Sequence, residues 1–250
     1  MKIETASILG IPVARLTMDQ VLAWVEKRIT EGTSSHLVTA NAEIIYRAYR
    51  DPSLADLLRQ ADLITADGAG VVWAAGQLKQ PVPQRVTGID LVQHLFTLAE
   101  RQGWDIYFLG AKPETVQKAV LNTLSQHSSL KICGYQHGYF SKQENEQVMS
   151  NIDKVKPHIL LVALGAPKQE YFIRELLTRM EIPLAIGVGG SFDVLAGTVQ
   201  RAPRWIQEHG LEWLYRLFKE PRRLGRMMAL PKFILAVIRQ KIFANSVDKT

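Results

Sequence analysis

The chain alternates short apolar runs with stretches whose apolar residues recur every three or four positions. The runs predict strands buried on both faces, and the recurring pattern predicts amphipathic helices. Thr17 and Gln20 frame a capping box, and Val21, Leu22, Val25 and Ile29 follow at helical spacing. His36 to Val38 reads as a strand ending at Thr39, Ala42 to Arg50 as a helix, and Asp51-Pro52 as the start of another helix through Gln60. Leu63 to Ala66 is a strand closed by Asp67-Gly68, and Gly70 to Gln77 is helical.

The rhythm repeats in the second half. Helices are predicted over Ile89 to Arg101, Pro113 to about Leu124, Gln143 to Lys154 and Lys168 to Thr178. Strands are predicted over Trp104 to Leu109, Leu130 to Tyr135, His158 to Leu164 and Leu184 to Val188. Such alternation implies an α/β fold, a largely parallel sheet with helices on both faces. From Arg204 no strand is evident, and two or three helical pieces are punctuated by Pro221, Gly225 and Pro231. The expected organisation is a body over residues 1–200 and a helical appendage over 201–250.

At 250 residues and 47% hydrophobic content the chain has globular composition. The single Cys133 cannot form an internal bridge and fits a reducing cytosol. Met1 to Gly10 has neither a basic n-region nor a long apolar h-region, so no signal peptide is expected, and no apolar stretch has a spanning helix's length. Charge is unevenly placed. Residues 201–250 carry 11 Lys/Arg and 4 Asp/Glu, a net of +7, whereas the first 200 have a net of −1. A neutral body with a basic tail suggests an anionic partner: a membrane, a nucleic acid or a phosphate-bearing substrate.

In open parallel sheets, ligands bind beyond the carboxyl ends of the strands. Five segments lie there: Thr39 to Asn41, Asp67-Gly68, Gly110 to Lys112, Gly165 to Gln169 and Gly187 to Gly190. Asp67 is the best candidate for a general base, although an Asp at that place also caps helices. Thr39 and Asn41 suit either a substrate hydroxyl or a cap before Ala42, and Lys168 and Gln169 either a ligand or solvent. Gly165 and Gly187 to Gly190 could present backbone N–H groups to a diphosphate. There is no Walker motif, no early G-x-G-x-x-G, no paired-His metal spacing, no D-x-D clamp and no G-x-S-x-G elbow. In the tail, Leu211, Leu214, Leu217 and Phe218 share one helical face, while Arg216, Lys219, Arg223 and Arg226 recur around it. Phe233 to Ile238 with Ile242 and Phe243 gives a second apolar face. Such a stretch reads as interfacial or phosphate-binding, or as a helical cap on the body.

Together these segments resemble the WecG/TagA/CpsF glycosyltransferase family. The resemblance is carried by Thr39-Ala-Asn-Ala-Glu43, Ala66-Asp-Gly-Ala-Gly70, Arg85-Val-Thr-Gly-Ile-Asp90, Phe108-Leu-Gly-Ala-Lys112 and Gly138-Tyr-Phe140. It continues through Leu164-Gly-Ala-Pro-Lys-Gln-Glu170, Gly187-Val-Gly-Gly-Ser-Phe-Asp193, Gly197 to Arg204, and Glu212 to Arg226, in order over nearly the whole chain.

The resemblance implies a single Rossmann-like core of the GT-E type with a membrane-engaging C-terminal appendage. It implies an inverting, metal-independent transfer of an N-acetylhexosamine, of the N-acetylmannosamine type, from a UDP-sugar to a polyprenyl-diphosphate-linked sugar. The products would feed teichoic acid or another cell-surface polysaccharide. No cofactor or metal is expected. The protein would sit in the cytoplasm, peripherally on the inner leaflet of the plasma membrane, without nucleic acid as a partner, and a homo-oligomer is left open. By the same resemblance, Asp67 matches the general base, and Thr39, Asn41 and Gln169 match polar residues around it and the sugar. Arg85, Tyr139, Gly165, Gly187, Gly189, Gly190 and Asp193 match positions around the donor nucleotide-sugar. Arg216, Arg223 and Arg226 match arginines that meet the acceptor diphosphate. Two other readings stand beside this one: a Rossmann-like nucleotide-sugar or dinucleotide enzyme such as an epimerase or dehydrogenase, and a non-catalytic protein that binds anionic surfaces.

Overall fold

The computed structural model describes residues 3–208, 210–219, 225 and 228–247. The chain opens with a hairpin of β1 (Thr5–Ile8) and β2 (Ile11–Ala14). Then follow α1 (Met18–Thr30), β3 (His36–Ala40), α2 (Ala42–Arg50), α3 (Pro52–Arg59), β4 (Leu63–Ala66), α4 (Ala69–Gln77) and α5 (Gly88–Gln102). Next come β5 (Asp105–Gly110), α6 (Pro113–Gln126), β6 (Lys131–Gln136), α7 (Asn145–Val155), β7 (Ile159–Ala163), α8 (Lys168–Leu177), β8 (Leu184–Gly187) and α9 (Ser191–Leu195). The chain ends in α10 (Arg204–Glu208), α11 (Glu212–Lys219) and α12 (Ala229–Val247).

Strands β3 to β8 form one sheet in the order β4-β3-β8-β7-β5-β6, and every pairing in it is parallel. The fold is therefore the Rossmann-like α/β architecture with helices on both faces. Alternate strand residues explain the layering. Leu37, Ile106, Phe108, Leu161 and Ile186 face an apolar layer shared with α1, α5 and α6. Val38 and Ile64 face the opposite layer with α2, α3, α4 and α12, while Tyr107, Leu109, Leu160 and Val162 face α7 and α8 there. All five residues of β7 are buried, as a strand covered on both faces requires.

The N-terminal hairpin was not foreseen. Its turn residues Leu9 and Gly10 both have positive φ, and Pro12 lies within β2 opposite Ser7. Leu is a poor residue for the first of two positive-φ positions, and Pro weakens any strand signal, so the alternation Thr5 to Ala14 carries no turn mark. Ala6, Ile8, Ile11 and Val13 nonetheless bury fully beside β3 and β4.

Helix α12 has two apolar faces. Phe233, Ala236 and Val237 are buried in the same cluster as Val38 and Ile64. Leu235, Ile238 and Ile242 are exposed on the other side, and Phe243 is exposed on the flank next to Ala236. The second apolar face read from the sequence is thus divided between core and surface. Among the described residues, no helix is long and apolar enough to cross a membrane.

Candidate functional site

The carboxyl edge of the sheet gathers a polar cluster around the ends of β3, β4 and β8. The Asp67 N–H donates to Ala40 O (2.8 Å), which continues the β3–β4 ladder one residue past β4. The chain then turns away through Gly68, whose φ of 130° suits a residue without Cβ. After α4 it returns alongside, with Val86 N–H donating to Ala66 O (3.0 Å). That return brings the start of α5 to Asp67, and Gly88 N–H donates to Asp67 Oδ2 (3.2 Å). Asp67 does not cap the helix that follows it, because Gly68 is the N-cap residue of α4 and the helix has no side-chain cap. Its carboxylate lies instead at the N-terminus of α5, where unpaired N–H groups and the helix dipole favour negative charge.

Gly88 also approaches Thr39: a Cβ there would lie 3.2 Å from Thr39 Oγ1 and 3.6 Å from Asp67 Oδ2. The Thr39 hydroxyl donates to Gly187 O at the end of β8 (3.0 Å). Gly187 in turn abuts Gln169, and a Cβ at Gly187 would meet Gln169 Nε2 at 2.5 Å. Gln169 is buried in the first turn of α8 and accepts from Gly189 N–H at Oε1 (3.1 Å). Its Nε2 donates to Glu170 Oε1 (2.9 Å). Asp67, Thr39, Gly187, Gln169 and Gly189 therefore form one connected patch, and Glu170 joins it from beneath. Burial pushes the Glu170 pKa up, against the opposing pull of its bonds to Gln169 and to backbone.

A second charged layer stands at the α5 end. Thr87 caps α5 by accepting from Asp90 N–H (3.2 Å), and its hydroxyl donates to Asp90 Oδ2 (2.6 Å). Arg201, from the segment after α9, holds both carboxylate oxygens of Asp90, with Nη1 to Oδ1 at 2.6 Å and Nη2 to Oδ2 at 2.8 Å. Burial works to raise the Asp90 pKa, but the Arg201 and Thr87 hydrogen bonds and the charges of Arg201 and Arg85 outweigh it and hold the carboxyl below its ordinary value. The Arg201 charge also feels Glu212 and Asp67. Arg85 pairs with Glu212 at the start of α11 (3.7 Å). Arg85 and Arg201 thus stand near Asp67, each paired with a carboxylate, so a phosphate-bearing ligand there would compete with Glu212 or Asp90 for a guanidinium.

The other expected residues sit as follows. Asn41 caps α2, its Oδ1 accepting from Ile44 N–H (3.0 Å), so that oxygen already has a structural task. Gly165 follows β7 with positive φ, and its carbonyl accepts from Gln169 N–H (3.0 Å). Gly190 precedes α9, which carries Asp193, and a Cβ at Gly190 would lie 3.7 Å from Asp193 Oδ2. Tyr139 is an exposed residue past β6, the edge strand, and is tied to His137 through its backbone N–H (3.3 Å). Lys168 lies over the Phe140 ring at 5.4 Å. Arg216 lies on α11. Arg223 and Arg226 lie outside the described residues. Among the described residues, no group of three or more His, Cys, Asp or Glu is placed to hold a metal ion.

Sequence reasoning missed Asp90, Arg201, Glu212 and Glu170. The first had a local signal, since Thr87 and Asp90 have capping spacing within Arg85 to Asp90. The Arg201 contact spans 111 positions and had none.

The chain is similar to known glycosyltransferases. A profile described as "Glycosyl transferase WecG/TagA/CpsF family" matches residues 6–247. A Bacillus subtilis (strain 168) protein named N-acetylglucosaminyldiphosphoundecaprenol N-acetyl-beta-D-mannosaminyltransferase is 33% identical over 239 residues, 95% of this chain and 93% of that protein. Proteins of the same name from Bacillus spizizenii and Staphylococcus aureus (strain MW2) are 34% and 33% identical. The alignments cover 85% and 94% of this chain and 82% and 92% of those proteins.

Proposed function

Because the chain belongs to the WecG/TagA/CpsF glycosyltransferase family, we propose that it moves an N-acetylmannosamine-type sugar from a UDP-sugar to an N-acetylglucosaminyl diphosphate on a polyprenol, with inversion and without a metal ion. Membership makes it a hexosyltransferase and sets aside the epimerase, dehydrogenase and non-catalytic readings. The relatives' shared name supports the acceptor and the sugar. The observation that carries the reading is the Asp67 carboxylate, held at the carboxyl edge of the sheet by Gly88 N–H and ringed by Thr39 and Arg201.

In this reading Asp67 takes the proton from the acceptor hydroxyl as that oxygen attacks the anomeric carbon. The bond to UDP breaks on the opposite face, and its electrons leave with the diphosphate. One displacement on an α-linked donor gives a β-linked product, in keeping with the beta in the relatives' name. Thr39 and Gln169 border the sugar, and Asn41 contributes its amide nitrogen beside the oxygen engaged as a cap. Charge developing on the leaving diphosphate is met by Arg85 and by the N–H groups of Gly165 and Gly190, while Gly187 and Gly189, whose own bonds run to Thr39 and Gln169, shape the loop, with Tyr139 and Asp193 toward the uridine. Glu212 now occupies Arg85, so the diphosphate would compete with that carboxylate.

The appendage, residues 201–250, serves the lipid side. Arg216, Arg223 and Arg226 would meet the acceptor diphosphate. Leu235, Ile238 and Ile242 give α12 an outward apolar stripe, with Phe243 exposed beside it and the exposed Lys232 and Arg239 along its flank. An apolar stripe beside cations suits an anionic inner leaflet, where each basic residue contributes up to about 1 kcal/mol. Peripheral attachment would bring the cleft to a membrane-bound acceptor.

The test is a transfer assay with UDP-N-acetylmannosamine and a short-chain prenyl diphosphate carrying N-acetylglucosamine, run with and without EDTA. A β-linked disaccharide lipid formed equally in both supports the proposal. No product from this pair, or loss of product on chelation, contradicts it.

A further inference from the structure

Glu170 is a buried polar residue that the reaction does not use directly. Glu170 is 1% exposed, its Oε1 is taken by Gln169 Nε2, and its Oε2 has no hydrogen-bond partner among the described residues. An unpaired carboxyl oxygen in such a place is costly, and an apolar residue would fill the site without that loss. The geometry shows what the acid provides. Gly189 N–H requires an acceptor, so the Gln169 carboxamide must turn its oxygen toward Gly189. Its nitrogen then needs an acceptor on the other side, and Glu170 Oε1 is there at 2.9 Å. Without Glu170 the carboxamide could rotate, and Gly189 would lose its partner.

We propose that Glu170 is a positioning residue, which locks the Gln169 carboxamide and through it the backbone of Gly187 to Gly190 that faces the donor. This rests on the donor-binding reading of that loop. The lock has three members. Glu170 orients Gln169, Gln169 holds Gly189 N–H, and Thr39 ties down the Gly187 carbonyl from β3. Gly187 admits no side chain, because a Cβ would displace Gln169 Nε2 and lie 3.1 Å from Glu170 Oε1. With the Gly189 N–H spent on Gln169, the loop is set in place before a ligand arrives, which lowers the ordering cost of binding.

The experiment measures amide exchange at Gly189 by NMR in the full chain and in the Glu170→Ala and Glu170→Gln variants, together with the donor KM and kcat of each. Glutamine keeps an acceptor oxygen at the same reach; alanine does not. The proposal expects Gly189 exchange about tenfold faster or more in Glu170→Ala, and within about threefold of the parent in Glu170→Gln. Donor KM should follow the same order, with kcat changed less. Gly189 exchange at the parent rate in Glu170→Ala, or equally fast exchange in both folded variants, would overturn it. If the parent chain bound no UDP-sugar, the functional reading would fail, while the exchange rates would still decide the positioning role.

Discussion

Arg201 and Asp90 meet through two parallel hydrogen bonds, and they join the segment after α9 to the helix whose first N–H holds Asp67. The pair is half-buried, and Arg201 Nε has no hydrogen-bond partner among the described residues. Breaking it from one side leaves a charge poorly compensated beside the cleft.

Asp90→Asn is therefore expected to destabilise the fold by about 1–3 kcal/mol, the range for losing hydrogen bonds to a charged group. Because its folded pKa is depressed, Asp90 contributes stability that is present above the unfolded value near 3.8 and is lost as pH falls through the lower folded value. Denaturant midpoints for parent and variant should differ at neutral pH and converge in strong acid. A constant difference across that range would contradict the assignment.

His36 predicts a pH effect in a different window. It is buried at the start of β3, its Nε2 has no partner among the described residues, and burial followed by the nearby Arg174 lowers its pKa from 6.5 to about 4. The unfolded chain binds a proton there at a pH where the folded chain does not. Stability should therefore fall as pH drops from 6.5 toward about 4, by up to about 3 kcal/mol. His36→Leu should remove that slope from urea midpoints measured at pH 7 and pH 5, and an unchanged slope would mean that His36 is not its source.

On the proposed reading, the two faces of α12 serve folding and membrane attachment separately. Phe233→Ala removes a fully buried ring and should cost about 3–5 kcal/mol. The exposed pair Ile242→Asp and Phe243→Asp should leave the melting temperature within about 2 °C of the parent. The same pair should sharply reduce flotation with anionic liposomes. Flotation at the parent level would show that this stripe is not the attachment surface.

Much of the sheet was legible from the chain. Capping signals at Thr17 and Asp51, and glycines after strands, mark element ends locally, so α1, α2 and β4 fall where the pattern puts them. The β1–β2 hairpin was not legible, because its turn carries Leu9 and its second strand carries Pro12. In the cleft, residues next to strand ends were found because topology alone places them there. Asn41 allowed two readings, and its oxygen serves the cap. Arg201, Glu212 and Glu170 depended on distant partners or on burial, which periodicity does not encode.

The central claim is that Asp67 is the base of a sugar transfer, and the direct measurement is turnover of Asp67→Asn with UDP binding followed in parallel. Asparagine keeps an oxygen for Gly88 N–H but cannot accept the acceptor's proton. The account predicts a fall in kcat of about 10²–10⁴-fold with UDP affinity within a fewfold of the parent. Turnover at the parent rate would contradict it.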